Sequence, residues 1–83
     1  LFQNYPNPFN PSTTFSFSLS NNEKISLSIF DSLGGEVSLI LNQWYSSGKH
    51  SIDWSPDGLS SGVYFYKLSV KSGSKIGKCI YLK

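Results

Sequence analysis

The sequence predicts an all-β fold, an antiparallel β-sandwich of about six to seven short strands. Three observations predict it. Apolar and polar residues alternate with period two along most of the chain. Clusters of Gly, Pro, Asn, Asp and Ser interrupt that alternation roughly every 8–12 residues, the spacing of sandwich turns. Apolar residues nowhere recur at helical spacing over more than about two turns.

The elements follow in chain order. The opening stretch, Leu1 to Ser12, carries Pro6, Pro8 and Pro11. Each proline fixes its own φ and biases the residue before it away from the helical region, so no helix forms there. Three amide donors are also missing, which excludes a central strand. Residues 1–13 therefore read as an extended leader packed on the domain, with Tyr5 and Phe9 as its expected anchors. Residues 14–83 read as the sandwich. Phe15, Phe17 and Leu19 alternate with Ser16, Ser18 and Ser20, a strand with one wet face. Asn21-Asn22 marks a turn, and Ile25, Leu27 and Ile29 form the next apolar row. Asp31-Ser32-Leu33-Gly34-Gly35 supplies a tight reversal. Val37, Leu39 and Leu41 then share the expected core face of a third strand, antiparallel to the second, while Ile40 on the other face marks it as two-sided or irregular. Ser46-Ser47-Gly48 breaks the chain before His50, Ile52 and Trp54. Ser55-Pro56-Asp57-Gly58 is a turn by composition. Val63 to Val70 is the strongest β signal, apolar on both faces at its start, as expected of a central strand packed on two sides. Ser72-Gly73-Ser74 turns the chain into a last strand from Ile76 to Leu82.

A length of 83 residues allows one domain. At that size folding buries only about 60% of the unfolded chain's surface, so the core is thin. Leu1 stands where an initiator Met would, so the chain is expected to be a piece of a longer protein, with any signal peptide upstream. Cys79 is the lone cysteine and makes neither an internal disulfide nor a zinc site. No apolar run reaches the roughly 20 residues of a membrane-spanning helix. The net charge of +2, without one arginine, does not make the dense basic stripe that nucleic-acid phosphates require. Seventeen serines replace much of the charge of an ordinary cytosolic surface, a composition shared with extracellular β modules.

Groups that carry chemistry are sparse, and no catalytic residue, cofactor or metal site is expected. His50 reads as a partly buried strand residue with a backbone partner. Cys79 reads as a small core residue rather than a thiolate. Gly34-Gly35 lies in a hairpin, not between a strand and a helix, so it is not a phosphate loop. Asp53 and Asp57 flank a turn; they fit turn caps, and with turn carbonyls they would also suit calcium. Thirteen aromatic residues are many for this length. Composition favours placing them in the core, where each ring adds much buried area; exposed together, Trp44, Tyr45 and one of Tyr64 or Tyr66 would make a platform for sugar rings.

Several blocks together resemble a known family. Asn4-Tyr5-Pro6-Asn7-Pro8-Phe9-Asn10-Pro11-Ser12-Thr13 resembles the opening signature of the type A C-terminal sorting domain of the type IX secretion system. Ile25 to Val37, with Ile29-Phe30-Asp31 and Leu33-Gly34-Gly35 inside it, is similar to that family's strand-turn-strand block. Gly48-x-His50-x-Ile52-x-Trp54, Leu59 to Leu68, and Lys78 to Lys83 follow in the family's order, so the likeness covers essentially the whole chain. Two positions depart from it: Gly35 stands where the family often has Arg, and Cys79 where a larger apolar residue is usual. The same pattern also resembles the immunoglobulin-like domain of flagellar hook-capping proteins.

The resemblance implies an immunoglobulin-like sandwich that acts as a non-catalytic targeting module. It implies an upstream cargo domain in the same chain, an outer-membrane translocon that reads the module, and a cell-surface sortase-like peptidase as partners. The cargo would pass through the periplasm to the cell surface or the medium. The expected recognition surface comprises Gly62, Tyr64, Lys67, Lys78 and Lys83, with the open edge of the last strand available to a partner strand. Tyr5, Pro6, Pro8, Phe9 and Pro11 are the expected structural leader. The alternative is an accessory immunoglobulin-like or carbohydrate-binding module of an extracellular enzyme.

Overall fold

A computed structural model describes residues 2–5, 7, 12–56, 58–71 and 73–82, with the backbone alone for residues 2–4. Pro6, Pro8, Phe9, Pro11, Asp57 and Lys83 lie outside the described residues. The described residues form seven strands: β1 (Phe2–Tyr5), β2 (Thr13–Leu19), β3 (Glu23–Phe30), β4 (Glu36–Tyr45), β5 (Gly48–Trp54), β6 (Gly62–Val70) and β7 (Gly73–Tyr81). They make two antiparallel sheets, one ordered β1-β2-β5 and the other β4-β3-β6-β7.

The period-two rows become the inner faces. Phe15 and Phe17 from β2 and Trp54 from β5 meet Ile25, Leu27 and Ile29 from β3, Tyr64, Tyr66 and Leu68 from β6, and Cys79 and Tyr81 from β7. The ring of Phe15 meets that of Tyr66 edge-on across the two sheets at 5.5 Å, and Phe17 meets Tyr45 in the same way at 5.5 Å. Edge-to-face pairs of this kind suit the ring quadrupoles and add specificity to the buried area. The serines between the apolar residues of β2 and β3 turn away from this core, as the alternation requires.

One reading of the sequence is made finer and three are corrected. Residues 2–5 of the extended leader add a strand to the edge of the three-stranded sheet, paired from Phe2↔Phe17 to Tyr5↔Thr14. Tyr5 does not anchor that leader: its side chain is 77% exposed. Val37 and Leu39 do not share the core face with Leu41. The pairing of β4 with β3 slips between Leu27 and Ser28 and again between Ile29 and Phe30, so Ile40 and Val37 become the extra residues of two bulges. Each bulge reverses which face a side chain occupies. Leu41 is buried, Leu39 opposite Ser28 is 54% exposed, and Ser38 takes the place opposite the buried Ile29. Finally, β6 is central in its sheet but covered on one face only, since Val63 and Phe65 face out, partly exposed.

Candidate recognition surface

Two features of the β6–β7 ladder set its geometry. The first is at the start of β6. Tyr64 turns into the core and its hydroxyl donates to the Ser60 carbonyl four residues upstream, at 2.7 Å. This is the tyrosine corner of immunoglobulin-like sandwiches, and it fixes the angle at which the chain enters β6. The second lies across the ladder, where Tyr66 pairs with Gly77. A Cβ at Gly77 would fall within the phenol ring of Tyr66. Only glycine fits under that ring, and the ring in turn covers the glycine of an edge strand.

With the odd-numbered side chains of β7 turned inward, its even-numbered ones face out beside β6. The register then builds a grid on the outer face. Phe30, Phe65 and Lys78 stand abreast, and Ser28, Lys67 and Ile76 form the next row. Lys67 and Lys78 are diagonal neighbours on this face, both exposed, and Ile76 beside them is 65% exposed. Phe30, Phe65, Lys67 and Ile76 line a shallow groove of about 350 Å³ that ends at Asp31. Aliphatic lysine stems cover apolar surface and leave the ammonium groups in water, so this face offers both contact area and positive charge.

At the end of the groove the Asp31–Gly35 turn is held from within. One Asp31 carboxylate oxygen, Oδ1, accepts the N–H groups of Leu33 and Gly35, each at 2.9 Å. Gly34 donates to the Asp31 carbonyl and Asp31 to the Gly35 carbonyl. Gly34 has φ +92°, in the left-handed region that favours glycine. The side chain of Leu33 at the tip is 95% exposed.

The residues expected for recognition are therefore divided. Lys67 and Lys78 share the outer face. Gly62 opens β6 opposite Tyr81. Tyr64 lies in the core, so its side chain is not on that face, and Lys83 lies outside the described residues. Sequence reading missed Phe30, Phe65 and Ile76 as one outer patch, because both faces of these strands carry apolar residues. It also missed Asn7, whose partners lie at the far end of the chain. The Asn7 amide donates to the Lys78 carbonyl and accepts from the Ile80 N–H, each at 3.0 Å.

Groups with chemical potential are held in structural roles. His50 Nε2 is 2.7 Å from the Ser46 carbonyl, so it carries the proton that is donated there. Its ring packs against Phe17 and Tyr45. Cys79 is fully buried, and desolvation pushes its thiol up to about 11, which keeps it protonated and unreactive at neutral pH. Burial, with Cys79 adding to it, also raises the Tyr66 phenol. Asp53 accepts the Thr14 hydroxyl at 2.6 Å. Among the described residues no three His, Cys, Asp or Glu side chains are placed to share a metal ion. The rings that would make a sugar platform are dispersed: Trp44 is 70% exposed, Tyr45 packs on Phe17 and His50, and Tyr64 and Tyr66 are in the core.

A family model described as a secretion system C-terminal sorting domain matches residues 3–82. No curated protein and no solved structure gives a match.

Proposed function

The chain belongs to the family of type IX secretion system C-terminal sorting domains, and from that premise we propose that it is a non-catalytic address that directs an upstream cargo through the outer-membrane translocon. The observation that carries this reading is the extent of the match, residues 3–82, which takes in both sheets. A family of this kind implies a secreted or cell-surface protein. The cargo passes the periplasm on its way, and a cell-surface sortase-like peptidase processes it after export.

The recognition surface in this proposal is the outer face of β6 and β7, with Lys67 and Lys78 as its charges and Gly62 at its start; Lys83, outside the described residues, is included for its place in the sequence. Tyr64 contributes from within, by holding the entry of β6 rather than by touching a partner. Physically the division is reasonable: a tag that must be read in its folded form needs a stable core and a distinctive face, and no reacting group.

The test is a reporter carrying an N-terminal signal peptide and residues 1–83, expressed in a bacterium with a working type IX system. Export of the reporter supports the reading; periplasmic retention, in cells that export a native sorting domain, overturns it. Point substitutions on the outer face are the informative variants. Truncation of residues 78–83 removes the buried Cys79 and Tyr81 and so confounds recognition with folding.

A further inference from the structure

Among the strands of the described residues, β7 lies at the edge of its sheet and pairs with β6 alone. Its ladder with β6 runs from Gly62↔Tyr81 to Val70↔Gly73 without a register shift. The opposite edge of the same sheet, β4, carries two bulges, which disfavour further pairing. By the two-residue period, the backbone groups of Ser74, Ile76, Lys78 and Ile80 point away from β6.

One part of that edge is already occupied, by a side chain. The carboxamide of Asn7 presents an N–H donor and a carbonyl acceptor on one side, as the backbone of a strand residue does. It meets the Lys78 carbonyl and the Ile80 N–H with both, at 3.0 Å each. A residue of a parallel neighbouring strand bonds in this way to the C=O of one residue and the N–H of the residue two further on. Both bonds are exposed to solvent, so an incoming backbone reaches them without opening the core. Among the described residues, none occupies the edge at Ser74 and Ile76 in this way. The strand from Gly73 to Tyr81 carries Lys75 and Lys78 and no acid, and its outer face sets Ile76 beside Lys78.

We propose that the β7 edge from Ser74 to Ile80 is a strand-addition site for an extended segment of the secretion machinery, with apolar and acidic side chains, and that Asn7 is its removable occupant. The proposal rests on the sorting reading above. Main-chain bonds along the edge supply the affinity, and the side chains facing Ile76 and Lys78 supply the selectivity. Asn7 guards the edge against pairing with wrong partners until the right one displaces it.

The test compares four reporter fusions in a type IX-competent host: unmodified, Ile76→Pro, Ile76→Ser and Asn7→Ala. The Ile76 N–H takes no part in the β6 ladder, so proline there leaves the intrachain bonds intact while blocking an added strand. Thermal melting of the purified chains checks folding. The expected result is export about tenfold or more lower for Ile76→Pro, at a melting temperature close to the unmodified chain's. Ile76→Ser, which keeps the N–H, retains most export. Asn7→Ala exports at or above the unmodified level and shows faster hydrogen exchange at the Ile80 amide. Equal export by Ile76→Pro and the unmodified fusion overturns strand addition, as does equal loss in Ile76→Pro and Ile76→Ser. Pairing of two copies through β7, seen as an Asn7→Ala dimer that Ile76→Pro abolishes without change in export, also overturns it. Should Ile76→Pro unfold the chain, Ser74→Pro makes the same test, because the Ser74 N–H also points away from β6. Failure of the unmodified fusion to leave the periplasm is a different result and overturns the sorting reading itself.

Discussion

The phenol of Tyr66 lies over Gly77, its partner across the β6–β7 ladder, in the space a side chain at position 77 would fill. Gly77→Ala must therefore push the ring out of the core or force the strands apart. Overpacking of this kind costs about 1–3 kcal/mol. For a domain of this size each kcal/mol lowers the melting temperature by about 4–8 °C. Calorimetry on the variant is expected to show a fall of that order.

The tyrosine corner gives a smaller and more selective effect. Tyr64→Phe keeps the ring in the core and removes only the bond to the Ser60 carbonyl. The expected loss is about 1 kcal/mol, read from the urea midpoint at unchanged m-value.

Cys79 makes stability depend on alkaline pH. Its thiol titrates near 9 when unfolded and is pushed up to about 11 in the fold by burial. The folded chain therefore holds a proton that the unfolded chain releases. Stability from this group is fully present below about pH 9 and is lost as pH rises through about 11. A shift of this size corresponds to about 3 kcal/mol. Urea midpoints measured from pH 8 to pH 11 are expected to fall steeply for the unmodified chain and less for Cys79→Ala. The raised phenol of Tyr66 acts in the same direction and leaves a residual slope in the variant.

The bulges of β4 predict unequal effects of two leucines that the sequence pattern treats alike. Leu41→Ala removes a buried side chain and is expected to cost about 2–4 kcal/mol. Leu39→Ser changes a side chain on the outer face and is expected to cost about 0.5 kcal/mol or less. Equal losses in chemical denaturation would place both residues in the core and contradict the register described.

These residues also show what was legible in the sequence. Phe15, Phe17, Ile25, Leu27 and Ile29 announce their burial because a half-covered sheet imposes period two on the chain. Leu39 and Leu41 follow the same period, yet they part company through slips in pairing with β3, which no local pattern encodes. Tyr64 and Tyr66 are legible as apolar residues of one face. Their particular roles, the bond to Ser60 and the cover over Gly77, need the neighbouring backbone to be in place. Lys67 and Lys78 stand out as charges in β strands, but their diagonal placement depends on the β6–β7 register. Asn7 was the least legible, since its partner Ile80 is 73 residues away and nothing in the leader sets it apart from Asn4 and Asn10.

Charge reversal on the outer face separates recognition from folding. Lys67→Glu with Lys78→Glu alters two exposed side chains outside the core, so stability is expected to change by about 0.5 kcal/mol per site or less. Like charges facing an acidic partner repel it, and export of the fused reporter is expected to fall about tenfold or more. Unchanged export with both lysines reversed would move the recognition surface elsewhere on the domain.

The sorting function itself is tested most directly by the ratio of reporter outside the cell envelope to reporter in the periplasm. That ratio is measured for the unmodified residues 1–83 fusion in two strains, one type IX-competent and one isogenic strain lacking the outer-membrane translocon. The account predicts a reporter found mostly outside the first strain and confined to the periplasm of the second. The same distribution in both strains, with a native sorting domain exported normally by the competent one, would contradict it.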